Sequence, residues 1–362
     1  MDGSRADGVT IYDVARAAGV AASTVSRTFS RPGRVHADTA ERVRQAADSL
    51  GYRTTPQARA HATTRTGMIA VLVSDIGNPV YAEMVRGVQA AASAAGCTVL
   101  LADSQESDRQ ERAALERALP SVDGVVLAGS RMSDSAIRVI AKQKPLVVLG
   151  RAVGDVPSVV PDNGRGMREA VEHLAGLGHS SLGYVAGPAA SWAEGTRWRS
   201  LLDTATELQL RVRRLGPSTP DVAGGMRAAE ELGGHSISAV LAYNDQLAIG
   251  VLRGLRGRGV RVPEDVSVVG FDNIGAAELV TPGLTTVAAP LHAGGAAATR
   301  ALLAMIDGAP GATGSPVVLP VRLVVRESTA QRSRKSTSPA SGTTKVSPSA
   351  AQASTSTSAG SR

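Results

Sequence analysis

Cysteine is nearly absent from this 362-residue chain: Cys97 stands alone, so no intramolecular disulfide can form. That fits a reducing compartment. Cys97 precedes the apolar run TVLLA, which predicts a buried structural thiol rather than a nucleophile. Long apolar runs are absent too. The opening MDGSRADG has no apolar core of a signal peptide, and no stretch is long enough to span a bilayer. These readings predict a soluble, cytoplasmic protein with no membrane partner. Metal-ligand clusters and enzyme signatures are also lacking. The six His are scattered, and His173, His179 and His235 fall in helix or turn contexts that suit structural roles. No G-x-G-x-x-G opens a helix after the first strand, and there is no P-loop and no G-x-S-x-G elbow. No cofactor and no enzymatic activity are therefore expected.

The net charge of +7 is unevenly placed. Five basic residues (Arg332, Arg334, Lys335, Lys345 and Arg362) and no acid follow residue 330, leaving the remainder near +2. Residues 1–60 hold nine Arg against six acids, so charge alone argues only weakly for nucleic acid. The final segment, 331–362, is rich in Ser, Thr, Ala and Pro, has no apolar heptad, and reads as a disordered tail.

What is present begins with IYDVARAAGVAASTVSRTF. Ile11, Val14, Ala15 and Ala18 share one helical face. Thr10 and Asp13 have capping-box spacing, and Gly19 provides a left-handed stop. A second helix is expected over about 22–29 and a third over about 37–50, the latter with Ala40, Val43, Ala47 and Leu50 inward. Ala15, Ala17 and Ala18 would let the first two helices cross closely, with Val20 and Val25 locking the turn. The second helix then offers Ala22, Ser23, Ser26 and Arg27 to solvent, where hydroxyls and a guanidinium suit base edges or phosphates. An ordinary surface helix is the alternative.

From residue 67 the texture changes. The runs MIAVLVS, TVLLAD, GVVLAG and LVVLG alternate with helical patterns. After Pro161 come LGYVAG, LRVRRLG, AVLAYN and VSVVGFD. Continuous apolar strands between helices predict parallel sheets buried on both faces, in two doubly wound lobes. Ligands of such sheets lie beyond the strands' carboxyl ends, which predicts a site in the cleft between lobes. Sugar recognition needs planar polar groups that engage paired hydroxyls, plus an aromatic face. Suitable candidates at strand ends and neighbouring loops are Ser74, Asp75, Asn78, Tyr81, Asp162, Asn163, Ser191, Trp192, Arg197, Asn244, Asp245 and Asp272. Each has a plainer alternative: Arg197 a surface ion pair, Asn244, Asp245 and Asp272 helix caps, Trp192 lobe packing.

The stretches TIYDVARAAGV, STVSR, GYR, VRGVQAAASAAG, VDGVVLAG, PDNGRG, HLAGLGH, NDQLAIG, VPEDVSVVGFDN, TPGLTTV and VRLVVREST occur in one order over about residues 10–328. In them the chain resembles the LacI/GalR family of bacterial transcriptional repressors. The resemblance implies an all-α helix-turn-helix headpiece (9–52), a hinge (53–66) and a periplasmic-binding-protein-like α/β sensor of type I (67–330). The lobes would divide near 161 and exchange chain again near 288 and 320. It further implies a homodimer on a near-palindromic double-stranded DNA operator, with affinity changed by a small metabolite such as a sugar. By motif, Ala22, Ser23 and Arg27 would face the major groove. Tyr12, Thr24 and residues near Arg31–Val35 would approach the backbone. Arg197, Asn244 and Asp272 would be the leading effector contacts. The helix over about 79–95, rich in small residues, resembles the family's dimer-facing surface.

Some positions depart from the pattern. Ala21 and His36 replace the usual capping Ser residues. The hinge reads TPQARAHA where the family commonly reads NPxARAL, placing His61 at the position of a minor-groove Leu wedge; Arg59 could still reach the groove. The plainer alternative is that His61 decorates a linker. Gly150 stands where many relatives carry Asp. The remaining alternative is a sugar-binding or enzymatic α/β protein without specific DNA readout.

Overall fold

The computed structural model describes residues 9–30, 33–50, 52, 65–232, 236–311 and 315–332. Most of the hinge, including Arg59 and His61, and nearly all of the tail lie outside the described residues, as do Arg31 and His235.

The headpiece comprises α1 (Ile11–Ala18), α2 (Ala22–Ser30) and α3 (Ala37–Ser49). The start of α1 follows from Thr10–Asp13: the Asp13 carboxylate accepts from the Thr10 backbone N–H at 2.9 Å and from its hydroxyl at 2.6 Å. Gly19 ends the helix at φ +65°. Val14, Ala15, Val25, Val43 and Ala47 form a small core, against which Ile11, Ala18, Val20, Ala22, Phe29 and Tyr52 pack. Phe29 and Tyr52 meet with ring centroids 6.3 Å apart, closing α2 against the end of α3.

Two expected core positions fall elsewhere. Ala17 is exposed. Leu50 caps α3 and is 37% exposed, because the helix ends at Ser49 before its face returns inward. Neither Ala21 nor His36 caps with its side chain; the Ala21 carbonyl accepts from Thr24 and Val25 as α2 begins.

Beyond the headpiece the chain runs β1 (Met68–Val73), α4 (Pro79–Ala94), β2 (Thr98–Asp103), α5 (Asp108–Ala118), β3 (Gly124–Ala128), α6 (Asp134–Ala141), β4 (Leu146–Leu149) and β5 (Ser158–Pro161). It continues with α7 (Asn163–Gly176), β6 (Ser181–Val185), α8 (Trp192–Glu207), β7 (Arg211–Leu215), α9 (Val222–Leu232), β8 (Ala239–Ala242) and α10 (Asp245–Gly257). Last come β9 (Ser267–Asp272), α11 (Ala276–Leu279), β10 (Thr285–Ala288), α12 (Leu291–Ile306), β11 (Val317–Leu319) and β12 (Arg322–Val324).

Two compact units result. Of the described residues, the first takes those within 9–163, 190–195 and 289–321; the second takes those within 164–189, 196–288 and 322–332. The sheet of the first unit has the order β11-β5-β4-β3-β1-β2, all parallel. That of the second has the order β12-β10-β9-β8-β6-β7, with β12 antiparallel to β10 and the other pairs parallel. Strands β1, β3, β4, β6, β8 and β9 are buried almost throughout, which is why their sequences are continuously apolar rather than alternating.

In helix α4, Gly87 serves packing inside the first unit, while Ala82, Ala90, Ser93 and Ala94 are exposed. A methyl group on Gly87 would lie 2.0 Å from the His292 carbonyl oxygen, and one on Gly295 would lie 2.0 Å from that of Met84. Helices α4 and α12 therefore cross with backbones in contact. Cys97 is half-buried rather than buried, its thiol 3.8 Å from the Ala95 carbonyl. His179 meets the Ser238 hydroxyl and the Ala330 carbonyl, and His173 meets the Thr329 hydroxyl, both structural arrangements.

Candidate functional site

The solvent face of α2 is short and polar. Ser23, Ser26 and Arg27 are exposed at i, i+3 and i+4, so they share one side of the helix. Arg27 forms no ion pair among the described residues. Ala22 is half-buried against the headpiece core, which corrects its placement on the solvent face. Thr24 is half-buried, and its carbonyl accepts from the Thr28 hydroxyl at 2.9 Å. Tyr12, on α1, is 68% exposed. This polar helix follows a Gly turn and stands on a three-helix core, the construction of a helix-turn-helix reading head.

In the first unit, strand order reverses between β1 and β3, where ligands of doubly wound sheets bind. Ser74 follows β1 and donates its hydroxyl to the Gly129 carbonyl at 2.5 Å. Tyr81 is buried, with its hydroxyl in the space a side chain at position 129 would need. Asp75 is half-buried and holds the Gly77 N–H at 2.8 Å. Asn78 caps α4 by accepting from the Val80 N–H at 3.1 Å. Asp162 is half-buried where the chain is about to leave this unit. Ser191 is buried and accepts from the Glu194 N–H at 3.4 Å; Trp192, half-buried, begins α8. Gly150 has φ +83°, a left-handed backbone conformation that glycine adopts without steric cost.

Sequence reading missed the groups that shape the neighbouring loop. Glu111 is buried and accepts from the Arg131 N–H at 2.9 Å; burial pushes its carboxyl above the ordinary range. The Arg131 guanidinium joins Glu106 to the Gly129 carbonyl, and that of Arg151 joins Asp134 to the Ser130 and Met132 carbonyls. No local pattern flags such long-range pairings.

In the second unit the structure gathers Arg197, Asn244 and Asp272. Arg197 is 5% exposed, so it is not a surface ion-pair residue. Its guanidinium donates to Asp272 at 3.2 Å and to the Tyr243 carbonyl. It lies 3.5 Å from the Phe271 ring centroid and 5.0 Å from that of Tyr243. Asp272 has φ +112° and Asn273 φ +59°, two successive strained residues at the carboxyl end of β9. Such strain costs about 1–3 kcal/mol per residue and is characteristic of functional sites. The Arg326 guanidinium holds the Asn273 side chain at 2.9 Å. Asn244 caps α10, accepting from the Leu247 N–H at 2.9 Å and donating to the Pro220 carbonyl at 3.1 Å.

Asp245, fully buried, accepts from the Thr286 hydroxyl and from the Ile274 N–H at 2.8 Å. Burial, aided by the Asp272 charge, pushes its carboxyl up to about 8. Burial also raises Asp272, to about 6, against the opposing pull of Arg197. Among the described residues, no group of three or more His, Cys, Asp or Glu could hold a metal ion. No described helix is long and apolar enough to cross a membrane.

A helix-turn-helix head ahead of two doubly wound units with polar residues at their strand ends defines a DNA-binding regulator with a sensor domain. Comparison with known proteins makes the class specific. Residues 10–55 match "Bacterial regulatory proteins, lacI family", and residues 171–329 match "Periplasmic binding protein-like domain". The HTH-type transcriptional regulator DegA of Bacillus subtilis is 33% identical over 334 residues, covering 88% of this chain and 98% of DegA. The lac repressor dimer bound to operator superposes with a TM-score of 0.76 at 27% identity, covering 90% of this chain and all of that one. The transcriptional regulator CelR–cellobiose complex superposes at 0.66 with 31% identity, covering 88% of this chain and 99% of that one. The chain belongs to the LacI/GalR family of transcriptional regulators. It is a sequence-specific DNA-binding regulator.

Proposed function

We propose that this regulator is a cytoplasmic repressor that binds a near-palindromic operator as a homodimer and changes its affinity when a sugar binds. The observation that carries the sugar reading is the Arg197–Asp272 pair, buried at the carboxyl end of β9 against two aromatic rings. A guanidinium and a carboxylate each engage two adjacent hydroxyls, and a desolvated pair gains more from each such bond than an exposed one. The similarity to a cellobiose-bound regulator supports the same ligand class. Asp75, Asn78, Tyr81, Ser74, Asp162, Ser191 and Trp192 supply the effector contacts of the first unit, and Asn244 adds to those of the second.

For DNA, Ser23, Ser26 and Arg27 are the base-reading candidates, while Tyr12 and Thr24 approach the backbone. Arg59 and His61 act at the operator centre. Similarity to an operator-bound dimer supports the two-fold assembly. Helix-turn-helix heads of this size need two copies to bind tightly.

The test is calorimetric titration of the full chain with cellobiose and a panel of pentoses, hexoses and nucleosides, repeated with Arg197→Met. The reading requires one sugar to bind, with binding lost in the variant at a temperature where the variant, destabilised by the unpaired Asp272 carboxylate, is still folded. Binding of a nucleoside alone, or of no compound in the panel, would overturn it.

A further inference from the structure

The chain that carries the headpiece enters the first unit through Arg65, Thr66 and Gly67, and it is held there at two points. The first is Asp123, in the VDGVVLAG stretch. Its two carboxylate oxygens accept from the Thr66 N–H at 2.7 Å and the Gly67 N–H at 2.8 Å. The Asp123 N–H in turn donates to the Met68 carbonyl at 2.7 Å, so the entry strand and this carboxylate fix each other. The second point is the carboxyl end of α12. Arg65 donates to the Ile306 carbonyl at 2.7 Å and pairs with the Asp307 carboxylate. A guanidinium there satisfies a terminal carbonyl and complements the negative end of the helix.

Helix α12 is suited to be a strut. It begins at Leu291, just after the chain passes into the first unit at 288/289, and ends at Ile306. Sixteen residues make a rod of about 24 Å. The Gly87 and Gly295 contacts seat it on the α4 backbone, so it cannot tilt without moving α4. Arg65 is therefore tied to the end of a helix that is itself fixed on α4.

We infer that Arg65 is a positioning residue for operator binding. It ties the segment leading to the headpiece to the end of α12, while Asp123 sets the backbone direction beside it. The assignment stands on family membership and operator binding, not on the identity of the effector.

The experiment uses the full chain and the duplex recovered by genomic selection. Operator affinity, affinity for an unrelated duplex and melting temperature are measured for wild type, Arg65→Met, Arg65→Lys, Asp307→Asn and the double variant Arg65→Met/Asp307→Asn. Arg65→Met and Asp307→Asn are each expected to weaken operator binding by up to about fivefold, the ceiling an exposed ion pair sets when it holds better on the operator than off it. The double variant should be no weaker than Arg65→Met alone, since Asp307→Asn removes only one of the two contacts that Arg65→Met already removes. Arg65→Lys should recover part of the loss. Melting should fall by no more than an exposed pair is worth, and binding to the unrelated duplex should not change. Unchanged or tighter operator binding by Arg65→Met overturns the inference. So do single losses that multiply in the double variant, or an equal fall in binding to the unrelated duplex. Wild type without operator preference would overturn the regulator assignment instead, and this inference with it.

Discussion

Replacing Asp245 by Asn should change how the protein's stability depends on pH. The carboxyl is fully buried, and its proton is held up to about 8 against an ordinary value of 3.8. An Asp in an unfolded chain ionises near that ordinary value, so between about pH 4 and pH 8 unfolding releases a proton. Stability from this group is complete below the lower value and is lost as pH rises toward the upper one. Each pH unit inside the window costs about 1.4 kcal/mol, so the upper limit at pH 7 is about 4 kcal/mol. Asn cannot ionise. Its amide can still face the Thr286 hydroxyl, with the carbonyl oxygen accepting from the Ile274 N–H. Asp272 adds its own slope up to about pH 6, but wild type and variant share it. The difference between their melting temperatures, measured from pH 5 to pH 8, should therefore shift in favour of Asp245→Asn as pH rises. Parallel curves would refute the reasoning and show that Asp245 is ionised in the folded protein.

Three further outcomes follow from the headpiece and the helix pair. Arg27→Ala should cost about 1–3 kcal/mol of operator binding, seen by anisotropy titration, with little change in melting. Ala21→Ser restores a hydroxyl before α2 and should stabilise the headpiece by about 0.5–2 kcal/mol, read from thermal unfolding. Gly87→Ala places a methyl against the His292 carbonyl, so the α4–α12 crossing must open. Overpacking of this kind costs about 1–3 kcal/mol, or more where backbone must move, and should lower the sensor's melting temperature.

Much of this fold is visible in local pattern, for reasons the coordinates make concrete. The Thr10–Asp13 box and Gly19 bound α1 because both act within one helical turn. The central strands announce themselves because helices on both faces leave no room for polar alternation. Strands β11 and β12, three residues each, carry too little pattern to stand out alone. Leu50 and Ala17 escaped because helical periodicity does not say where a face stops meeting its neighbour.

At the sensor site, Arg197, Asn244 and Asp272 were recognisable by type and place. Their environment was not. The burial of Arg197 depends on Tyr243 and Phe271, both distant in sequence, and on a strained Asp272 backbone. Asp245 looked like a companion of the capping Asn244. Its partners, Ile274 and Thr286, lie 29 and 41 residues further on. Such a group becomes visible only when β8, β9 and β10 lie side by side.

The most direct test of the account is selection of bound duplexes from sheared genomic DNA at about 0.15 M salt, where nonspecific phosphate binding is already weakened. The selection is run with and without each sugar of the panel. The account predicts one shared near-palindrome whose recovery is changed by one sugar. Recovery of duplexes without a common sequence, equal in every condition, would contradict it.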